Sequence, residues 1–216
     1  MLNSEEPAIP DRFALARRRS IRQQRLLDAA EAVFGERGFH PATMDEISQR
    51  AGVSKPILYE HFTSKLDLYL VVLRRCIDSL DSMLDTALRS DVDSQHVLHG
   101  AVAAYFDFAD RRLTGWRLIF ESDALSEPAV RWHVGRFGDR CIEKIAQQFV
   151  QKAGLGAARS QLLAAGLVGA SVTAAGEWVN LDDVMARQDA IQAVILLCWG
   201  GLSHVPLRTD VAVAGS

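Results

Sequence analysis

Cysteine is scarce in this chain, with three residues in 216. Cys76, Cys141 and Cys198 are far apart, make no CxxC or zinc spacing, and each falls in an apolar stretch. A disulfide framework and a metal site are therefore not expected, and small buried thiols in a reducing cytoplasm are. No run of about 18 uncharged apolar residues is evident, so no membrane span is expected. The longest apolar runs, near 162–175 and 193–202, are shorter or interrupted by Ser and Thr. The opening MLNSEEPAIPDRF has no basic start and no apolar core, so no secretion signal is expected. Strand-like alternation of useful length and internal repeats are also missing. Enzyme signatures are absent too: there is no GxSxG, Walker loop or HExxH, and Gly154-Leu155-Gly156 lacks a third glycine and a preceding strand. His96 and His99 share a helix face without an acidic or Cys partner nearby and read as polar positions at a helix start. No enzyme, cofactor or metal is expected.

What is present is an ordinary globular composition, 49% hydrophobic and 24% charged, enough for a sizeable core. The net charge of −3 hides an asymmetry. Residues 12–65 hold ten Lys/Arg against six Asp/Glu, whereas residues 66–216 hold fourteen against eighteen. A basic N-terminal third on an acidic body suits a head that binds nucleic acid, because phosphate neutralisation supplies much of the affinity.

Helical periodicity organises the chain. Residues 1–11 read as a loose tail, and a first helix over about 14–37 turns Ile21, Leu26, Ala30, Val33 and Phe34 inward, with Gly38 as its stop. From Lys65 to about Arg89, Leu66, Tyr69, Leu73, Ile77, Leu80, Leu84 and Leu88 recur at spacings of three and four. That helix is about 35 Å long at 1.5 Å per residue, a natural link between head and body. A polar break at 90–94 precedes a helix over 95–112, apolar on most sides. A short segment at 116–123 follows a turn at Thr114-Gly115. Val130, Val134, Phe137, Cys141, Ile145 and Phe149 then form one stripe, and two last helices cover 157–178 and about 185–204. The expectation is an all-α fold of about nine helices: tail 1–11, three-helix head 12–64, body 65–205, tail 206–216.

The most informative stretch is Thr43 to Lys65, TMDEISQRAGVSKPILYEHFTSK. Thr43 with Glu46 three residues on is a capping-box signature. Met44, Ile47 and Ala51 give the first short helix an apolar side, and Gly52 ends it where a left-handed backbone costs least. Ser54 is placed to cap the next helix with Pro56 in its first turn, and Leu58 and Phe62 face inward. Ser64 with Asp67 opens the helix that follows. Two short helices about a Gly-containing turn are the shape of a helix-turn-helix.

Phe34, Gly38-Phe39, Thr43, Ile47, Ala51-Gly52-Val53-Ser54, Leu58-Tyr59, His61-Phe62 and Lys65 resemble the N-terminal signature of the tetracycline-repressor (TetR) family of bacterial regulators over roughly residues 20–70. Pro56 stands where that family usually has Gly, and Ile57 where a small or polar residue is common, so the resemblance carries no operator sequence with it. It implies that Ser54, Lys55, Pro56, Ile57, Tyr59 and His61 face a DNA groove, with Thr43, Tyr59, His61 and Lys65 best placed for phosphates. Lys55 is the candidate reader of a guanine edge, and Ile57 could touch a thymine methyl. Arg17, Arg18, Arg19, Arg22 and Arg25, five arginines within nine residues, are candidates for phosphate or minor-groove contact.

The segment Leu162 to Ala175 carries no charge and is apolar or small on every side, so both faces need cover. Gly166, Gly169, Ala170 and Thr173, with Val194 and Leu197 of the last helix, are the expected homodimer interface. Relatives in the resembled family also dimerise through their last two helices, which would set two heads on half-sites about 34–36 Å apart. Tyr105, Phe108, Trp116, Phe120, Trp132, Phe137 and Trp178 are candidate walls of a pocket for a mainly hydrophobic small-molecule effector. Arg117, Glu121, Arg131, His133 and Glu177 are candidate anchors for a polar group. The expected function is a cytoplasmic transcriptional regulator, a repressor released from a palindromic operator in double-stranded DNA, with an activator or a ligand-independent regulator of the same fold as the alternative. An all-helical enzyme should show paired catalytic groups in the body, and a protein–protein adaptor would need no basic head.

Replacing Arg18 and Arg22 together by alanine is expected to weaken binding to every duplex alike. It should flatten the slope of log affinity against log salt by about 0.9 for each phosphate no longer neutralised. Anisotropy titrations across a salt series measure this, and an unchanged slope removes the phosphate role.

Overall fold

A computed structural model describes residues 12–89, 94–181 and 184–202, with side chains from residue 21 onward within these ranges up to residue 200, residue 94 apart. The expected tails at 1–11 and 206–216, the polar break at 90–93 and the side chains of Arg17, Arg18 and Arg19 lie outside the described residues.

Among the described residues the chain forms nine α-helices, one 3₁₀ turn and no strand. They are α1 (Arg12–Arg37), α2 (Met44–Ala51), α3 (Lys55–His61), α4 (Lys65–Leu88), α5 (Ser94–Arg111), α6 (Leu113–Phe120), α7 (Pro128–Ala153), α8 (Ala157–Val179) and α9 (Arg187–Leu202), with the 3₁₀ turn at Asp123–Ser126. The all-α expectation holds. The chain divides into two compact units, Met1–Val72 and Leu73–Ser216.

In the first unit, Leu26, Ala30, Val33 and Phe34 of α1 are buried with Ile47 of α2, Leu58 of α3 and Leu68 and Tyr69 of α4. Ile21 was expected on the inner face but is 46% exposed, and residues 21–25 are all exposed, so the apolar face of α1 begins only at Leu26. Phe34, Phe39 and Tyr69 meet as a triad, with Tyr69 edge-on to both phenyl rings at 5.0 Å between centroids. That geometry suits the ring quadrupoles.

In the second unit α5 packs against α6, α7, α8 and α9, and Val102, Tyr105, Phe106, Phe108 and Ala109 are essentially without exposed surface. The expected turn at Thr114-Gly115 lies instead inside α6. Gly115 is there for packing: a Cβ would stand 3.3 Å from Cys76 Sγ and from the Phe108 ring. Lys144 of α7 bonds to both Asp81 (2.7 Å) and Asp85 (2.6 Å) of α4. Burial pulls the Lys144 ammonium down, but its bonds to the two carboxylates outweigh that and hold it above its ordinary value. Arg187, at the start of α9, pairs with Asp107 and Asp110 of α5. Cys76 and Cys141 are buried free thiols, and burial pushes Cys141 up to about 11.

The α8 helix departs from the sequence reading. It is 23 residues long with a mean hydropathy of 1.4 in its 18-residue apolar window, long and apolar enough by those measures to cross a membrane. The charge-free run alone was too short, but the helix continues past it to Arg159 at one end and Glu177 at the other. Only 22% of that window is buried.

Gly115→Val should destabilise the protein by about 1–3 kcal/mol, the usual range for overpacking a filled core. Urea unfolding measures the loss, and a stability equal to the parent would show that Cys76 and Phe108 yield freely.

Candidate nucleic-acid interface

The head builds its outward surface from two capped helices and one turn. The Thr43 hydroxyl accepts from the Glu46 amide, and the Glu46 carboxylate accepts from the Thr43 amide, each at 3.2 Å. This reciprocal box starts α2 at Met44. Gly52 closes α2 with φ 66° and ψ 32°, a backbone that side-chain-bearing residues rarely adopt. The chain then reverses, with the Val53 amide donating to the Ser48 carbonyl at 3.0 Å. Ser54 takes the N-cap position of α3 in extended geometry, with Pro in the first turn, but its hydroxyl makes no cap bond.

The helix so placed has one inner side and one outer side. Leu58 is fully buried, with Phe62 just past the helix end almost so. Lys55, Pro56, Tyr59, Glu60 and His61 are exposed and Ile57 is half-buried. Tyr59 leaves 44% of its surface open, so it does not close the head's core. Lys55, Pro56, Ile57, Tyr59 and His61 therefore sit together on one seven-residue helix, as the motif predicts.

The electrostatics hold what the sequence could not display. Each of the four Lys/Arg residues from Arg37 to Lys65 is engaged by an acceptor of the protein itself. Arg50 grips Glu36 through two bonds of 2.6 and 2.7 Å, and the Arg50 hydrogen bonds hold the Glu36 carboxyl below its usual range. Arg37 pairs with Glu46 at 3.3 Å. Lys55 Nζ lies 2.8 Å from Asp45 Oδ1 across the turn, and that bond raises the Lys55 ammonium above its ordinary value. Lys65 Nζ donates to the carbonyls of His40 and Ala42, both at 2.9 Å, and stands 4.7 Å from the centre of the Phe39 ring.

Lys65 thus ties the α1–α2 connection to the start of α4, an internal task that a phosphate-contact reading overlooks. Thr43 is likewise occupied with its cap. Arg22 is exposed. Sequence reasoning missed Asp45 altogether, because its ten-residue separation from Lys55 matches no helical spacing and only the reversal at Gly52 brings the pair together.

The model of bacterial regulatory proteins of the tetR family matches residues 26–72. The HTH-type transcriptional activator FasR of Mycolicibacterium smegmatis is 46% identical over 189 residues, 88% of this chain and 86% of FasR. The chain belongs to the TetR family. It is a DNA-binding transcriptional regulator, and the helix-turn-helix just described is its family signature. A TetR-like regulator from Rhodococcus sp. RHA1 superposes with a TM-score of 0.74 at 27% identity, over 86% of this chain and 98% of that one. FadR of Bacillus subtilis, solved in complex with stearoyl-CoA, shares the fold with a TM-score of 0.71 at 16% identity, over 83% and 98%.

In the body of this TetR-family regulator, Tyr105, Phe108, Trp116 and Phe137 are buried to 2% exposure or less, and Phe120 and Trp178 are half-buried. Trp116 stacks at 4.5 Å from Phe120 and donates to Glu121 at 3.1 Å. Trp178 lies 5.8 Å from Phe106 and donates to the Met185 carbonyl. Trp132 is the exception: it is 61% exposed, with its ring against His133 rather than among the other aromatics. Two open clefts, of about 470 Å³ around Lys144 and Gln148 and about 340 Å³ around Met83 and Gly100, include none of these seven rings. Arg131 donates to the carbonyls of Leu125 and Ser126. His133 is held below its ordinary value by burial and by Arg74 and Arg140.

On α8, Gly166, Gly169 and Thr173 are exposed and Ala170 is half-buried. Val194 is corrected: at 7% exposure it packs inside the monomer, because α9 turns Ala190, Ile191, Val194 and Ile195 inward. Leu196 and Leu197, at 63% and 73%, hold the outer face.

Lys65→Met should lower stability by about 1.5–3 kcal/mol, the range for hydrogen bonds to a charged group. Urea unfolding measures it, and a variant as stable as its parent would return Lys65 to a purely surface role.

Proposed function

We propose that this regulator works as a homodimer that reads a palindromic operator and is switched by a mainly apolar small molecule. The observation that carries the dimer is the outer face of α8 and α9. Leu162, Leu196 and Leu197 are each more than 60% exposed, and a Cβ at Gly166, Gly169 or Gly200 would meet no atom within 4 Å. A glycine inside a helix costs about 1 kcal/mol relative to alanine, and nothing inside the monomer asks for one at these places. Close approach of a second copy of the same pair of helices accounts for the glycines and covers the leucines, and it explains why an apolar helix is so little buried in one chain. Two heads on a two-fold axis would meet half-sites about 34–36 Å apart. The reading places the regulator in the cytoplasm with its DNA and gives it no catalytic step.

An effector in the body would enter by parting α5, α6 and α7 around the buried Tyr105, Phe108, Trp116 and Phe137. DNA would select one separation of the two heads and the effector another, with couplings of about 1–3 kcal/mol, or roughly 5–150-fold in operator affinity. Stearoyl-CoA, present in the FadR structure of the same fold, is the first probe. One observation bears on the sign of control. FasR is named an activator, and this favours activation over the repression expected from the sequence. Run-off transcription from a selected operator separates the two signs.

Gly169→Glu places a charge on the proposed interface. Sedimentation should then show monomers, and operator binding should fall along with dimerisation. A dimer that survives the substitution contradicts the interface.

A further inference from the structure

We propose that Asp45 is a specificity-determining residue of the DNA-binding head: its carboxylate holds Lys55 for base reading and withholds it from backbone phosphates. The inference rests on the reading of α3 as the groove-entering helix with Lys55 as its guanine reader, and it adds a residue from the neighbouring helix.

The geometry is an ion pair between the first turn of α2 and the first residue of α3, at 2.8 Å, with both side chains more than half exposed. An ammonium has three N–H donors. One is taken by Asp45, and two remain, which suits the two acceptors, O6 and N7, that guanine presents in the major groove. Reading a base therefore needs no rupture of the pair. A phosphate offers something different: one more anion for a cation that already has one. Exchanging a carboxylate for a phosphate yields little. Lys55 is thereby removed from the sequence-independent part of binding, the part that grows with every phosphate neutralised.

The pairing fits the pattern of the head. Arg37, Arg50 and Lys65 are also engaged by protein acceptors, yet they are not on α3. Lys55 alone among the four belongs to the recognition helix. Tyr59, one turn further along, stays 44% exposed. Asp45 thus engages the only basic side chain besides His61 on that helix.

The test uses the full-length chain, a mixed-sequence duplex and an operator fragment recovered by in vitro selection, titrated by anisotropy across a salt series. Asp45→Asn should bind the mixed-sequence duplex roughly 3–10-fold more tightly. Its salt slope there should steepen by about 0.9 for each head engaged. The slope on the operator should stay as in the parent, so the ratio of the two affinities falls. An unchanged slope on mixed-sequence DNA overturns the proposal. Lys55→Met gives an independent arm. It should weaken operator binding and leave the mixed-sequence slope unaltered, and a flatter mixed-sequence slope overturns the proposal as well. In the double variant the gain from Asp45→Asn should vanish. If the gain persists, it comes from the Asp45 charge acting directly on DNA, and the role through Lys55 is wrong. Should the parent bind neither duplex in dilute buffer, the reading of α3 itself fails, an outcome distinct from all of these.

Discussion

The left-handed backbone at Gly52 is the constraint on which the outward chemistry of the head depends. With φ at 66° the chain leaves α2 and reverses within three residues, so that α3 can bury Leu58 fully while presenting Lys55, Tyr59 and His61 outward. The capping box at Thr43 fixes where α2 begins, and the Val53 amide on the Ser48 carbonyl fixes how sharply the turn closes. Neither helix is long enough to be stable alone in water. Their directions hold because each inner face shares one small core with α1 and the start of α4.

On that frame the charges are paired rather than free. The basic excess of the first third invites a picture of cations open to phosphates, yet the cations between Arg37 and Lys65 are held by Glu46, Glu36, Asp45 and two carbonyls. Exposed pairs of this kind contribute little to stability, commonly below about 1 kcal/mol. A cation that already has a partner gains less from a phosphate than a free one.

The body poses a different problem. Its α5 is apolar on nearly all sides and is wrapped by α6 to α9, and ion pairs from Lys144 and Arg187 tie α4 to α7 and α9 to α5. Tyr105, Phe108, Trp116 and Phe137 are buried in its centre. In contrast, α8 keeps glycines and leucines on a face that its own chain leaves bare. A helix can be apolar for two reasons, to be core or to meet a partner; α8 is core on one face, and its own chain leaves the opposite face bare.

The amino-acid sequence by itself determined the helical class, the helix-turn-helix and the caps of α2, because periodicity, Gly52 and the Thr43–Glu46 box are local signals that act within one or two turns. It also marked α8 as apolar or small on every side of its middle stretch. Only the tertiary structure decided that Gly115 belongs inside a helix, pressed against Cys76 and Phe108, that Val194 faces inward while Leu196 and Leu197 face out, and that Trp132 stands apart from the buried rings. It alone paired Lys55 with Asp45 and turned Lys65 toward two carbonyls of the α1–α2 connection. Composition and spacing report which side chains can ionise or bury. They do not report which ones a reversal of the chain brings within hydrogen-bonding distance, because that distance is set by packing between segments remote in sequence.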